Sequence, residues 1–166
     1  MIFCDDATMK GNPTYRSIHM AVKPIPEGYH TITPYFVVTD AEKFLDFAKR
    51  AFGATEVFRA DMPDGSIAHA ELQIGDSRVM LGQASEQWKP TTCSLYLYVP
   101  DVDAVYRSAM QAGATSMAEP EDKFYGDRTA GVRDPFGNQW WLGTHIEDVS
   151  PDELNRRMQE QMSRTT

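Results

Sequence analysis

Cysteine is nearly absent from this chain, and its first part has no long apolar run. Only Cys4 and Cys93 occur among the 166 residues. Two cysteines are too few for a disulfide framework, and nothing in their spacing indicates a metal pair. The first 28 residues contain no apolar stretch that suits a signal peptide or a membrane span. We therefore expect a reduced, cytoplasmic protein with no membrane partner.

Basic residues are also scarce. The chain has 16 Lys and Arg against 24 Asp and Glu, a formal net charge of −8. Nucleic-acid binding requires a basic stripe, so this composition argues against a nucleic-acid partner. The acidic balance favours a neutral or cationic ligand over an anionic one. A solvated acidic surface without any binding role explains the same balance.

The informative feature that is present is an internal duplication. Thr33–Ala54 and Ser94–Ala114 each contain an extended run, an Asp, a helical pattern and a Gly-Ala stop. Asp40 aligns with Asp101, and residues 80–82 align with residues 141–143, both at an offset of 61. A period of about 60 is too long for a solenoid repeat and indicates a duplicated supersecondary module. Two such modules leave a seam between them, where small ligands bind.

Each module is predicted as β-α-β-β-β. The first has strands at Thr31–Val38, Thr55–Asp61, Ile67–Ile74 and Arg78–Leu81, and a helix capped by Asp40 that runs to about Phe52. The second has strands at Cys93–Val99, Ser116–Ala118, Asp127–Val132 and Gln139–Thr144, and a helix capped by Asp101. We predict an arm at 1–30, a domain at 31–146 with modules 31–83 and 92–146, and a tail at 147–166 whose helix starts at the capping box after Ser150.

Three short stretches resemble a known family. Ile67–Leu72, Phe124–Arg128 and Asp134–Trp140, in this order within the duplicated pattern, are similar to the glyoxalase/bleomycin-resistance/extradiol-dioxygenase (vicinal oxygen chelate) superfamily, and to its PhnB-like branch. The resemblance implies an α+β fold in which two β-α-β-β-β modules form a curled mixed sheet with helices outside. It also implies a small-molecule ligand in a central cleft between the modules, and a homodimer.

The same resemblance implies four positions for a divalent metal, one on the first and one on the last strand of each module. Thr33 and Met80 occupy these positions in the first module, and Ser94 and Trp141 in the second. Hydroxyl, thioether and indole groups are poor ligands for a hard divalent cation. We therefore expect no metal and no other cofactor.

Strand alternation predicts which side chains line the cleft. The inward-facing set is Tyr35, His69, Glu71, Tyr96, Tyr98 and Trp141. The loop before Asp127 is expected at the cleft mouth, where Phe124 and Tyr125 could form a lid on a Gly126 hinge. Arg128 could orient a carboxylate or phosphate there, or form a purely structural ion pair. An aromatic lining suits a planar or cationic ligand. The alternative is that these rings fill a barrel too small for any ligand.

The predicted function is metal-free binding of an aromatic or cationic small molecule, such as a drug that is sequestered. The rival is a lyase, isomerase or dioxygenase. His69 and Glu71 lie at i and i+2 of one strand, where they could act as an acid–base pair. They could also join His145 in a displaced metal site. A third possibility is a vestigial cleft, with the dimer and the tail helix serving to bind partners.

Overall fold

The computed structural model describes residues 22–164, so the first 21 residues of the predicted arm lie outside the described chain. The helices are α1 (Ala41–Phe52), α2 (Val102–Gln111) and α3 (Pro151–Arg164). The strands are β1 (Tyr35–Val38), β2 (Thr55–Asp61), β3 (Ile67–Ile74), β4 (Ser77–Gln83), β5 (Ser94–Tyr98), β6 (Thr115–Asp122), β7 (Asp127–Arg133) and β8 (Gln139–His145). None of the helices described between residues 22 and 164 combines the length and apolar character needed to cross a bilayer.

The predicted helix caps are confirmed. The Asp40 carboxylate accepts a hydrogen bond from the Lys43 N–H at 3.0 Å, and Asp101 accepts one from the Ala104 N–H at 2.9 Å. Gly53 ends α1 in the left-handed region at φ 64°, which costs a glycine little because it has no Cβ. Both caps fix where each helix leaves its first strand, and so orient the two modules in the same way.

The duplication is visible in the sheets. The first sheet has the order β1-β4-β3-β2 and the second the order β5-β8-β7-β6. In each, the first strand pairs in parallel with the last: Tyr35 lies opposite Met80, and Tyr96 lies opposite Trp141. Residues that are 61 apart in the sequence therefore occupy equivalent pairing positions in the two sheets. The predicted α+β fold of two β-α-β-β-β modules is confirmed.

Two strands differ from their predicted bounds by four residues at one end, and the other strands by at most two. β1 begins at Tyr35 and not at Thr31, because Pro34 has no N–H to donate to the ladder. β6 extends to Asp122 and not only to Ala118. Its pairing with β7 contains two register shifts, and such bulges accommodate Pro120 within an edge strand.

The two modules share one core. The Phe36 ring lies 5.5 Å from the Trp140 ring, and Phe52 lies 4.5 Å from the same indole, so the helix-side faces of both sheets meet. Trp140 is held there by Asp134, whose buried carboxylate accepts from its Nε1 at 3.0 Å. Because both helix-side faces are used in this core, the opposite face of each sheet points away from it.

Candidate functional site

The outer face of the second sheet carries an aromatic platform. We call this the module-two face; it comprises Tyr96, Tyr98, Asp127, Trp141 and His145. A Cβ on Gly131 would lie 2.8 Å from Trp141 Cζ3, and a Cβ on Gly143 would lie 2.4 Å from the Tyr96 hydroxyl. The indole and the phenol therefore cover glycines of the neighbouring strands, which brings both rings close to the sheet.

A polar corner adjoins this platform. Asp127 is buried, and its carboxylate accepts from the Tyr98 hydroxyl at 2.9 Å. His145 Nδ1 lies 2.8 Å from Asp127 and its Nε2 lies 3.0 Å from Asp148. Hydrogen bonding to Asp148 and then to Asp127 raises the pKa of His145, so protonation of the imidazole is favoured at this corner. Burial raises the pKa of Tyr96 to about 12, so its hydroxyl stays neutral.

The outer face of the first sheet carries a second cluster. This module-one face comprises Tyr35, Phe58, His69, Glu71 and Arg78. His69 Nδ1 lies 3.3 Å from the Tyr35 hydroxyl, and His69 Nε2 lies 3.4 Å from a Glu71 oxygen. The Tyr35 ring stacks on the imidazole at 5.7 Å, and Phe58 lies 6.0 Å from it. The predicted proximity of Tyr35, His69 and Glu71 is therefore present.

Glu71 is also contacted by Tyr29 and Arg78, which were not predicted from the sequence. The Tyr29 hydroxyl donates to Glu71, and Arg78 Nη1 lies 3.4 Å from the same carboxylate. Burial alone would raise the pKa of Glu71, but the hydrogen bonds from Tyr29 and His69 outweigh it and the pKa is lowered. Glu71 is therefore held as a carboxylate.

The predicted cleft between the modules is not assembled from these residues within one chain. Among residues 22–164, every ring contact and hydrogen bond of His69 and Glu71 stays within the first module or the segment before it, and none reaches Tyr96, Tyr98 or Trp141. A groove of about 660 Å³ does separate the modules. Of the predicted lining only Tyr96 and Tyr98 border it. Arg78 of the module-one face borders it as well, and apolar residues such as Ile32, Leu95 and Val99 form much of the rest.

Arg128 does not belong to the ligand-facing set. It lies beside Ala130 and Val132, the buried helix-side residues of β7, and forms a two-point contact with Asp103 of α2 at 2.6 and 2.9 Å. Its remaining Nη1 donates to Asp122 at 2.8 Å. The guanidinium therefore ties α2 to the second sheet, and it is not placed to orient a ligand on the opposite face.

The predicted lid and hinge are also corrected. The Gly126 carbonyl accepts from the N–H groups of Ile146 and Glu147 at 2.9 and 3.0 Å, and a Cβ at Gly126 would lie 2.2 Å from the Glu147 carbonyl oxygen. Gly126 is thus a close-packing position and not a hinge. Phe124 lines a separate pocket of about 510 Å³ under α3, while Tyr125 interacts with Tyr96.

Comparison with known proteins identifies the family. A sequence model of the Glyoxalase/Bleomycin resistance protein/Dioxygenase superfamily matches residues 28–142, both modules included. The chain belongs to this superfamily. Its assignment to the PhnB-like branch remains a prediction.

Proteins similar to this chain include a sequence relative and two solved structures that share its fold. An uncharacterised protein of Mycobacterium bovis is 38% identical over 141 residues, which cover 78% of this chain and 93% of that protein. The crystal structure of TioX from Micromonospora sp. ML1 is 28% identical, with a TM-score of 0.61, and covers 69% of this chain and 98% of that chain. TnmS3, an antibiotic binding protein from Streptomyces sp. CB03234, is 24% identical with a TM-score of 0.57 over 76% of this chain and 99% of that one. At that identity the likeness concerns the fold alone.

The positions that the superfamily resemblance assigns to a metal do not fit one. Thr33, Met80, Ser94 and Trp141 supply hydroxyl, thioether and indole groups, which do not match the nitrogen and carboxylate ligands of a divalent ion. Within residues 22–164, no group of three or more His, Cys, Asp or Glu side chains is arranged to hold a metal. His69 and His145 in particular lie on different modules.

Sequence signals existed for some of the contacts and residues that were not predicted. Tyr35 and Gly82 recur as Tyr96 and Gly143 at the same offset of 61, and a Cβ on either glycine would meet the paired tyrosine hydroxyl. This repeated pair marks a ring that crosses a neighbouring strand. Arg78 alternates with Met80 along β4, so it could have been placed on the outer face. Tyr29 lies outside any periodic segment and had no such signal.

Proposed function

We propose that this protein binds a planar aromatic small molecule on the module-two face, and that its role is to sequester a compound such as a drug. The observation that carries the proposal is the platform formed by Trp141 over Gly131 and Tyr96 over Gly143. Tyr96 and Tyr98 remain 45% and 68% exposed, although large aromatic side chains are usually covered in a folded protein. Such rings bind flat molecules by stacking.

The polar corner would orient the ligand and select its charge. Asp127 fixes Tyr98 and His145 at one end of the platform, while the formal charge of the whole chain is −8. An aromatic platform in an acidic protein favours a ligand with a cationic or hydrogen-bonding group. The antibiotic binding protein TnmS3 has the same fold, but the proposal for this chain depends on its own rings.

A second copy of the chain would complete the cleft. Tyr35 and His69 lie on a face that points away from the shared core, as do Tyr96 and Trp141, and no ring contact or hydrogen bond described between residues 22 and 164 joins the two pairs. A homodimer that places the module-one face of one copy opposite the module-two face of the other would cover both sets of rings. This arrangement would also give His69 and Glu71 access to the ligand.

The enzymatic alternative is less well supported. In an acid–base pair with His69 as the base, Glu71 would stay ionised and orient the imidazole. The Glu71 carboxylate is instead shared among Tyr29, Arg78 and His69, and its contact with His69 Nε2 is long at 3.4 Å. A carboxylate divided among three donors orients the imidazole weakly, so binding is better supported than proton transfer.

Tryptophan fluorescence tests the proposed function. We expect planar aromatic cations to quench Trp141, and the quenching to persist in Trp88→Phe, since Trp88 lies on the linker and is 64% exposed. Trp141→Leu should lose both the quenching and about tenfold in affinity, measured by calorimetry, because the stacking ring is lost. Binding of equal affinity in Trp141→Leu, or no binding across a library of such compounds, would overturn the proposal.

A further inference from the structure

A short strap, residues 26–32, packs on the polar end of the module-one face. The strap begins with a turn in which the Pro26 carbonyl accepts from the Tyr29 N–H at 3.2 Å, with Gly28 at φ 82°. A Cβ on Gly28 would lie 3.2 Å from Arg78 Nε and Nη2, so the strap approaches the guanidinium about as closely as a glycine permits. This close approach places the Tyr29 side chain beside Glu71.

The Tyr29 side chain contacts Glu71 and Arg78 in the way that a bound phenol would. Its hydroxyl donates to Glu71, and the Arg78 guanidinium carbon lies 4.9 Å from the centroid of its ring. A carboxylate that accepts the hydroxyl proton and a cation over the ring are together suited to an aromatic hydroxyl. His69 joins Glu71 to Tyr35 at 3.4 and 3.3 Å, so this position is continuous with the module-one face.

Tyr29 and the rest of the strap do not satisfy all the hydrogen-bonding groups at this position. Arg78 Nε is buried and has no hydrogen-bond partner among the residues described, and the contact between Arg78 and Glu71 is long at 3.4 Å. A buried donor without a partner is unfavourable. Tyr29 itself is only half-buried and belongs to a segment outside the strands and helices. Its hydrogen bond can therefore be exchanged for an equivalent one without unfolding a sheet.

We propose that Glu71, Arg78 and His69 form a subsite for an aromatic hydroxyl group, and that Tyr29 is an internal occupant which the ligand displaces. The inference rests on the proposed function, because it treats the module-one face as part of the ligand cleft. It adds the chemical class of the ligand, a phenol, and a residue that competes with it. The strap sets the affinity of the cleft by holding the place of the ligand hydroxyl.

The test uses p-cresol, which has the structure of a tyrosine side chain, and 4-methylanisole, which lacks the hydroxyl proton. Binding to the full chain is followed by the amide chemical shifts of residues 69–80. We expect p-cresol to bind Tyr29→Ala at least about tenfold more tightly than the wild type, since the competing hydrogen bond to a charged group is gone. In the same variant, 4-methylanisole should bind about tenfold more weakly than p-cresol, because it cannot donate to Glu71.

Two further variants keep the result decisive. Tyr29→Phe retains the ring and removes only the hydroxyl, so its affinity for p-cresol should lie between those of the wild type and Tyr29→Ala. Adding Glu71→Gln to Tyr29→Ala should reduce the preference for p-cresol over 4-methylanisole, because a neutral amide oxygen is a weaker acceptor than a carboxylate. Equal p-cresol affinity in the wild type, Tyr29→Phe and Tyr29→Ala would overturn the inference, and so would equal binding of the two probes to Tyr29→Ala.

The two proposals fail separately. If aromatic cations still quench Trp141 while p-cresol shows no preference, only the phenol subsite is refuted. If p-cresol takes the place of Tyr29 while no compound quenches Trp141, the proposed function of the module-two face is refuted and the subsite remains.

Discussion

At Gly143, a methyl group would collide with the ring that forms half of the aromatic platform. A Cβ there would lie 2.4 Å from the Tyr96 hydroxyl and 2.8 Å from its Cε1, and the strand conformation at this position is one that alanine adopts readily. We expect Gly143→Ala to fold and to push Tyr96 into solvent. Since burial is the main reason that the pKa of Tyr96 is raised to about 12, the displaced phenol should titrate closer to its ordinary value.

Ultraviolet titration with Tyr96→Phe as the reference measures this shift. Gly143→Ala should also weaken the binding of planar aromatic ligands by up to about tenfold, because one stacking surface is lost. Gly82→Ala is the matched control: its Cβ would meet the Tyr35 hydroxyl at 2.8 Å on the other module, and it should leave the Tyr96 titration unchanged. An unaltered Tyr96 pKa in Gly143→Ala would contradict the role assigned to the glycine.

The positions of the platform rings could be predicted from the sequence, but the contact between the strap and Glu71 could not. Alternation along β5 and β8 correctly placed Tyr96 and Trp141 on the face away from the buried Trp140 and Leu142. Tyr29 meets Glu71 across 42 residues of chain, from a segment without regular structure. No local pattern encodes such a contact, since it depends on how closely Gly28 approaches Arg78 in three dimensions.

Among the elements, α3 is connected to the second module through Arg157. Arg157 donates to both oxygens of Glu147 at 2.8 and 2.7 Å and to the Phe124 carbonyl at 3.3 Å, which joins α3 to the loop between β6 and β7. Tyr125 of this loop adjoins Tyr96. We expect Arg157→Gln to speed amide exchange in α3 and in residues 123–126, with little change in the free energy of unfolding because these ion pairs are exposed.

Arg156 provides the control on the same helix. Its hydrogen bonds reach Glu153 and Glu160, both within α3. Arg156→Gln should therefore leave exchange in residues 123–126 at the wild-type rate. Hydrogen exchange followed by mass spectrometry distinguishes the two variants. If both variants loosen the loop equally, or neither does, Arg157 is not the anchor.

The sequence predicted where the helices begin, but not how the elements pack against one another. The caps at Asp40 and Asp101 fixed the starts of both helices, because a cap is read from a few adjacent residues. An apolar stripe indicates that a helix is buried but not which element covers it. The sequence therefore could not reveal that Phe36, Phe52 and Trp140 join both modules in one core, which leaves most of the predicted lining outside the groove between the modules.

At the scale of the whole molecule, the shared core leaves the two faces on the outside, so a complete cleft would require a second copy of the chain. In a dimer with twofold symmetry, each of two equivalent clefts would take its module-one face from one copy and its module-two face from the other. A chain with a damaged module-one face and a chain with a damaged module-two face would then form a heterodimer with one intact cleft and one doubly damaged cleft. A cleft contained within one chain would give no such recovery.

Subunit mixing tests this arrangement. Tyr35→Ala combined with His69→Ala damages the module-one face, and Trp141→Leu damages the module-two face. Each variant alone should be a dimer that binds a planar aromatic ligand poorly. After the two are refolded together, random pairing should restore wild-type affinity in about one quarter of the clefts, measured as the stoichiometry of tight binding by calorimetry. A mixture that exchanges subunits without recovering tight sites would contradict the composite cleft, as would a wild-type protein that stays monomeric at the concentrations where it binds ligand.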